Sequence, residues 1–149
     1  MTKEEKILAI ATAVALLMKF YSVPFGGPLL LIVLSSLAFY YMFFTPCIFT
    51  GVGVKQRFQS GVFADQSRSV MLLATVIGYV LAILSYGALF LLQHWAGGTV
   101  FLAVGTGACF VLLVAITLMQ LYDEEPAYRG MTWRLLVFLI LGLGILFSI

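Results

Sequence analysis

The sequence predicts an all-α protein threaded several times through a bilayer, and three observations carry that reading. Of 149 residues, 63% are hydrophobic and only 9% are charged, a balance far from that of a soluble domain. Five stretches approach the roughly 20 apolar residues that a helix rising about 1.5 Å per residue needs to cross about 30 Å of hydrocarbon. The Lys and Arg residues collect in alternate connections, the pattern of a chain that keeps its basic loops on one side.

The first span covers about Ile7 to Val23. Lys3 and Lys6 precede it, but Glu4 and Glu5 sit among them and no small-x-small site follows before Lys19 and Tyr21, so the segment reads as a retained helix and not a cleaved leader. Thr2 and Glu5 have the spacing of a capping box. The second span runs from about Pro28 to Ile48, the third from about Ser69 to Gln93 and the fourth from about Thr99 to Tyr122. The fifth, Leu135 to Ile149, is short and crosses fully only by starting near Met131, so the count is five spans, or four where the last stops short.

Two turns close the hairpins, Pro24-Phe-Gly-Gly-Pro28 and His94-Trp-Ala-Gly-Gly98. The expected turn residues are Pro24, Gly26, Gly27, Gly97 and Gly98, with Gly26 and Gly97 adopting the left-handed conformation that stops a helix without a Cβ penalty. Pro28 suits a first helical position, and Thr99 can cap the fourth helix. Residues 17–31 and 88–102 superpose at an offset of 71 with the Gly-Gly pairs in register. That describes two parallel repeated hairpins followed by one helix; duplication and independent arrival at a good turn both account for it.

Seven of the eight basic residues fall on one face: Lys3, Lys6, Lys55, Arg57, Arg68, Arg129 and Arg134, with Lys19 the exception. The N-terminus, the 51–68 loop and the 123–134 loop are therefore expected in the cytoplasm, and the two turns and the C-terminus across the membrane. Val54, Phe58 and Val62 give the first of those loops the spacing of an amphipathic segment, while Gly51, Gly53 and Gly61 suit a plain loop equally well. Asp123-Glu-Glu-Pro126 reads as a solvated helix end.

Among candidate functional residues, Lys19 is an ammonium inside a span, where it either lifts its charge to the interface beside Tyr21 or faces a polar cavity or a partner's carboxylate. His94 and Trp95 sit where an interfacial belt is expected, as do Trp133, Tyr122 and Tyr128 at the opposite face. Ala74, Gly78 and Ala82 on the third span, and Ala103, Gly107 and Ala115 on the fourth, form small-residue stripes expected to hold the second hairpin together, with oligomerisation the alternative. Cys47 and Cys109 lie in or beside apolar runs, where a thiol acts as a small hydrophobe.

The turn His94-Trp-Ala-Gly-Gly98, preceded by Leu89-Phe-Leu-Leu-Gln93, resembles the His-Trp-Pro-Gly hairpin of small inner-membrane proteins of Bacteroidota, a family that includes the motor subunit of the gliding and type IX secretion machinery. The likeness covers about ten residues per hairpin and divides the motif. Leu91 stands in the place of the family's lysine and Ala96 in that of its proline, whereas the first turn keeps Lys19 and Pro24 without a histidine. The resemblance implies a bacterial inner membrane and an ion-driven motor with an intramembrane carboxylate. Glu4, Glu5, Asp65, Asp123, Glu124 and Glu125 all lie outside the apolar spans, so the hairpin carries over and the motor role does not.

The net charge of +2 comes without any run of like charge, which excludes nucleic acid as a partner class. No nucleophile stands with a base, no carboxylate pair or phosphate loop is present, and a lone His cannot build a metal site, so neither an enzyme nor a cofactor is expected. The expected partners are the lipid bilayer and other membrane-protein subunits or copies of itself. Two functional readings follow: a structural or assembly subunit of a membrane complex, and a small oligomeric channel or transporter drawing on Lys19, Ser35, Ser36, Thr75, Ser85, Gln93 and Thr106. Lipid or quinone binding between the hairpins is a third.

Overall fold

A computed structural model describes residues 3–52, 63, 67–123 and 125–147, and they form five helices: α1 (Lys3–Phe20), α2 (Gly26–Thr50), α3 (Arg68–Leu92), α4 (Gly98–Gln120) and α5 (Pro126–Phe147). No strand occurs among the described residues. Thr2 and the stretch holding Val54, Phe58 and Val62 lie outside them, and with them the expected capping box and amphipathic loop. The ends of α2, α3 and α4 fall within two residues of the expected spans.

Four helices, α2 to α5, are long and apolar enough to cross a membrane, which marks the chain as a membrane protein. The helix outside that set is α1 and not the short-looking last one, because Lys3, Glu4, Glu5, Lys6 and Lys19 are charged among its 18 residues. The last helix starts at Pro126, upstream of Met131, and its 22 residues reach about 33 Å. Proline at the first helical turn lacks only an N–H that would go unbonded there, so the expected 123–134 loop is mostly helix and carries Arg129 and Arg134 into α5.

The spine of the bundle is α3, which packs against α2 on one side and α4 on the other; α5 lies on α4 and α3, and α1 packs broadly only on α2. Glycine makes both close crossings possible. A Cβ on Gly78 would lie 2.6 Å from the Tyr41 carbonyl oxygen, and one on Gly87, half a helical turn round, 2.6 Å from the Leu102 nitrogen. Ala74 and Ala82 are buried one turn either side of Gly78, so the α3 stripe meets α2 and not α4, which corrects its expected place within the second hairpin. The α4 stripe behaves differently: Ala103 and Gly107 are exposed, and a Cβ on Gly107 would meet nothing within 4 Å. The α3–α4 seam is closed instead by Gly87 against Leu102 and Gly105 against Leu84, so Ala103 and Gly107 do not hold the hairpin together.

The two turns share one backbone. Ser22 N–H donates to Lys19 O and Val23 N–H to Met18 O; His94 donates to Leu91 and Trp95 to Phe90 in the same way. These paired bonds are the Schellman closure, with Ser22 (φ 53°) and His94 (φ 58°) as the left-handed residue. Histidine tolerates that region better than most side chains. A second left-handed residue follows, Phe25 (φ 70°) in one turn and Gly97 (φ 86°) in the other. Corresponding residues are therefore 72 apart, which corrects the register of 71: Gly26 matches Gly98, not Gly97. Gly26 is helical rather than left-handed, and its role is space, since a Cβ there would lie 2.9 Å from the Lys19 nitrogen, as one on Gly98 would lie 2.5 Å from that of Leu91.

Candidate functional site

The first turn of α1 presents Glu5 on the same face as Ala9, Thr12 and Ala13, since helical positions four, seven and eight apart line up. The carboxylate is 1% exposed. Arg134, in the third turn of α5, meets it side-on, Nε donating to Oε1 and Nη2 to Oε2, both at 2.8 Å. Tyr41 of α2 donates its hydroxyl to Oε1 at 3.2 Å. The guanidinium also donates through Nη1 to Gly130 O at 3.1 Å and lies 5.1 Å from the centre of the Phe49 ring.

This bidentate geometry matches the planar fork of arginine to a carboxylate, the arrangement in which charge-assisted hydrogen bonds are strongest. Burial pushes the Glu5 carboxyl up, but the hydrogen bonds and charge of Arg134 and the Tyr41 hydroxyl outweigh it and hold the group below its ordinary value. A buried carboxylate thus exists where none was expected. It precedes Ile7, the start of the apolar run, yet α1 begins beside Tyr41 and Arg134, inward of the basic ends of α2 and α5, whose side chains close over it.

Between α1 and α5 lies a cleft of about 420 Å³, with the Glu5–Arg134–Tyr41 cluster at one end. Ala9 and Ala13 of α1, Leu34 of α2, and Val137, Leu141 and Ile145 of α5 line the remainder. Small side chains on α1 leave the space between the walls unfilled, and the ion pair bridges helices that do not otherwise pack broadly.

At the hairpin end, Lys19 is half-buried and donates through Nζ to Gln93 Oε1 at 3.0 Å, while Gln93 Nε2 donates to Gly27 O at 2.7 Å. The amide thereby ties the end of α3 to both arms of the first hairpin. His94 and Trp95 are exposed, and Trp95 packs edge-on against Phe90 at 5.3 Å, the hydrophobic contact that accompanies a Schellman closure. Tyr122 and Trp133 are exposed at the basic end, but Tyr128 is 1% exposed and belongs to the core, which corrects its place in an interfacial belt. Cys47 and Cys109 are buried and form no disulfide, Cys109 donating its thiol to Leu135 O. No group of three His, Cys, Asp or Glu able to hold a metal occurs among the described residues.

Sequence reasoning missed the Glu5–Arg134 pair because its members are 129 positions apart. The signal present was the alignment of Glu5 with the small-residue face of α1. No family model, no curated protein and no solved structure matches the chain.

Proposed function

We propose that the chain is a structural or assembly subunit of a membrane complex, seated in a bacterial inner membrane with its basic end in the cytoplasm and the hairpin turns across the bilayer. The observation that carries the reading is the outward stripe on α4, where Ala103 and Gly107 leave room for the backbone of another helix. The partner is a neighbouring membrane subunit or a second copy, with lipid covering the other apolar faces.

The channel reading has less behind it. The hydroxyls of Ser36, Thr75, Ser85 and Thr106 each donate to the carbonyl four residues earlier in their own helix, so their protons are not offered to a passing solute. Lys19 and Gln93 bond one another. The test is Gly107→Leu in the full chain in mild detergent: the wild type is expected to run as an assembly, and the variant as a monomer with unchanged helical content. A wild type that runs as a monodisperse monomer and brings down no partner overturns the proposal.

A further inference from the structure

We propose that the cleft between α1 and α5 binds one acyl chain of a membrane phospholipid, with a glycerol-ester carbonyl accepting from the guanidinium of Arg134. This rests on the chain lying in a bilayer but not on its role in a complex.

The space has the shape of a chain site. It follows α1 from Glu5 to Leu16 and α5 from Gly130 to Ile145, about 17 and 23 Å at 1.5 Å per residue, which is one leaflet of hydrocarbon and somewhat more. Away from the end held by Glu5, Arg134 and Tyr41 its walls are mostly apolar, and the hydroxyls of Thr12 and Ser85 that also line it donate to carbonyls of their own helices. The side chains of Ala9, Ala13, Val137 and Leu141 are exposed to it. Water gains few hydrogen bonds in such a space, whereas α2 to α5 place the opening against lipid tails.

The polar end sets what the head must offer. A guanidinium has five N–H donors; among the described residues Arg134 uses two on Glu5 and one on Gly130 O, leaving one on Nη1 and one on Nη2. Its charge is already matched by Glu5. Spare donors on a guanidinium already paired with a carboxylate suit a carbonyl acceptor, which brings no further charge into the cleft. The ester carbonyl of a phospholipid meets that requirement with its chain directed into the cleft and its headgroup outside.

The test is native mass spectrometry of the full chain, extracted in mild detergent from vesicles of equal parts phosphatidylcholine and phosphatidylglycerol. One phospholipid per protein copy should survive transfer, with both headgroups represented in similar amounts. Ala13→Phe and Ala9→Phe fill the cleft from exposed positions and should each lower retention about tenfold or more, a free-energy change of about 1.4 kcal/mol, with circular dichroism confirming unchanged helix. Gly107→Leu, on the opposite kind of surface, should retain lipid as the wild type does while changing assembly, so the two proposals fail separately. Wild-type protein that sheds phospholipid as readily as Ala13→Phe, retention of phosphatidylglycerol alone, or recovery of a bound quinone in place of phospholipid would each overturn it. Should both phenylalanine variants misfold, a spin-labelled phospholipid on the wild type decides the matter through the presence or absence of one motionally restricted chain per protein.

Discussion

The two ends of the bundle are fastened by different physics. At the hairpin end the chain reverses twice through the same local hydrogen bonds, and glycine provides the space where α2 and α4 begin. At the basic end no local signal exists: α1 is held to α5 by side chains 129 positions apart, with Tyr41 of α2 completing the cluster. A turn depends on backbone conformation and tolerates different residues, whereas a buried ion pair depends on two particular side chains and tolerates neither loss. The ends should therefore break under different substitutions and by different amounts.

The largest effect is expected at the basic end. Arg134→Ala leaves Glu5 buried without its cation, and losing one partner of a buried pair typically costs about 3–5 kcal/mol. A thermal or chemical melt in detergent reads this as a large loss for Arg134→Ala and Glu5→Ala, and a much smaller one for the double replacement Glu5→Leu with Arg134→Met. If the double variant is as unstable as the singles, the pair is not what fastens α1.

Acid should loosen the same end. Because the folded-state carboxyl of Glu5 lies below its ordinary value, its contribution is fully present above the unfolded value near 4.5 and is lost as pH falls through the lower folded one. A distance probe between α1 and α5 should stay constant from neutral pH to about 5 and lengthen below that. In Glu5→Gln the acid step should vanish; an equal step in that variant would assign it to other carboxylates.

Next come the glycines of the turns. Gly98→Ala and Gly26→Ala place a methyl within 2.5 and 2.9 Å of backbone atoms and should each cost about 1–3 kcal/mol, with Gly98 the more sensitive. Gly27→Ala should be nearly neutral, since its methyl would stand 3.6 Å from Gln93 Oε1. A Gly27→Ala melt as low as that of Gly26→Ala would restore the register of 71 between the turns.

This contrast also marks what a sequence can disclose. Spans, hairpin positions and the basic face follow from apolar length and charge placement, which are local or summed quantities, so α2, α3 and α4 were legible nearly to their ends. The start of α5 was not, because counting apolar residues from Leu135 ignored that Pro126 opens helices as readily as it ends them. The outward turn of Ala103 and Gly107 was hidden for a related reason: a small-residue stripe shows that some helix can approach, without naming which. The pairing of Glu5 with Arg134 depends on the tertiary arrangement alone, and the offset of 72 was masked because aligning both glycines of each turn favours 71, whereas the backbone pairs Phe25 with Gly97.

The smallest effect tests the turns against each other. Phe25 holds a left-handed conformation that Gly97 adopts in the second turn without penalty. A side chain there costs about 1–2 kcal/mol, and glycine returns about 0.5–1 of it through the greater freedom it loses on folding. Phe25 is 80% exposed, so little burial is forfeited, and Phe25→Gly should raise stability by less than about 1 kcal/mol. Gly97→Ala, at the matching position, carries the same two terms with opposite sign and should lower it by less than about 1.5 kcal/mol. Melting both variants in the same detergent checks the pair: opposite signs mean the two turns are one backbone carrying different residues, whereas a clear loss for Phe25→Gly means the phenyl ring anchors the first turn in lipid and the equivalence stops at the main chain.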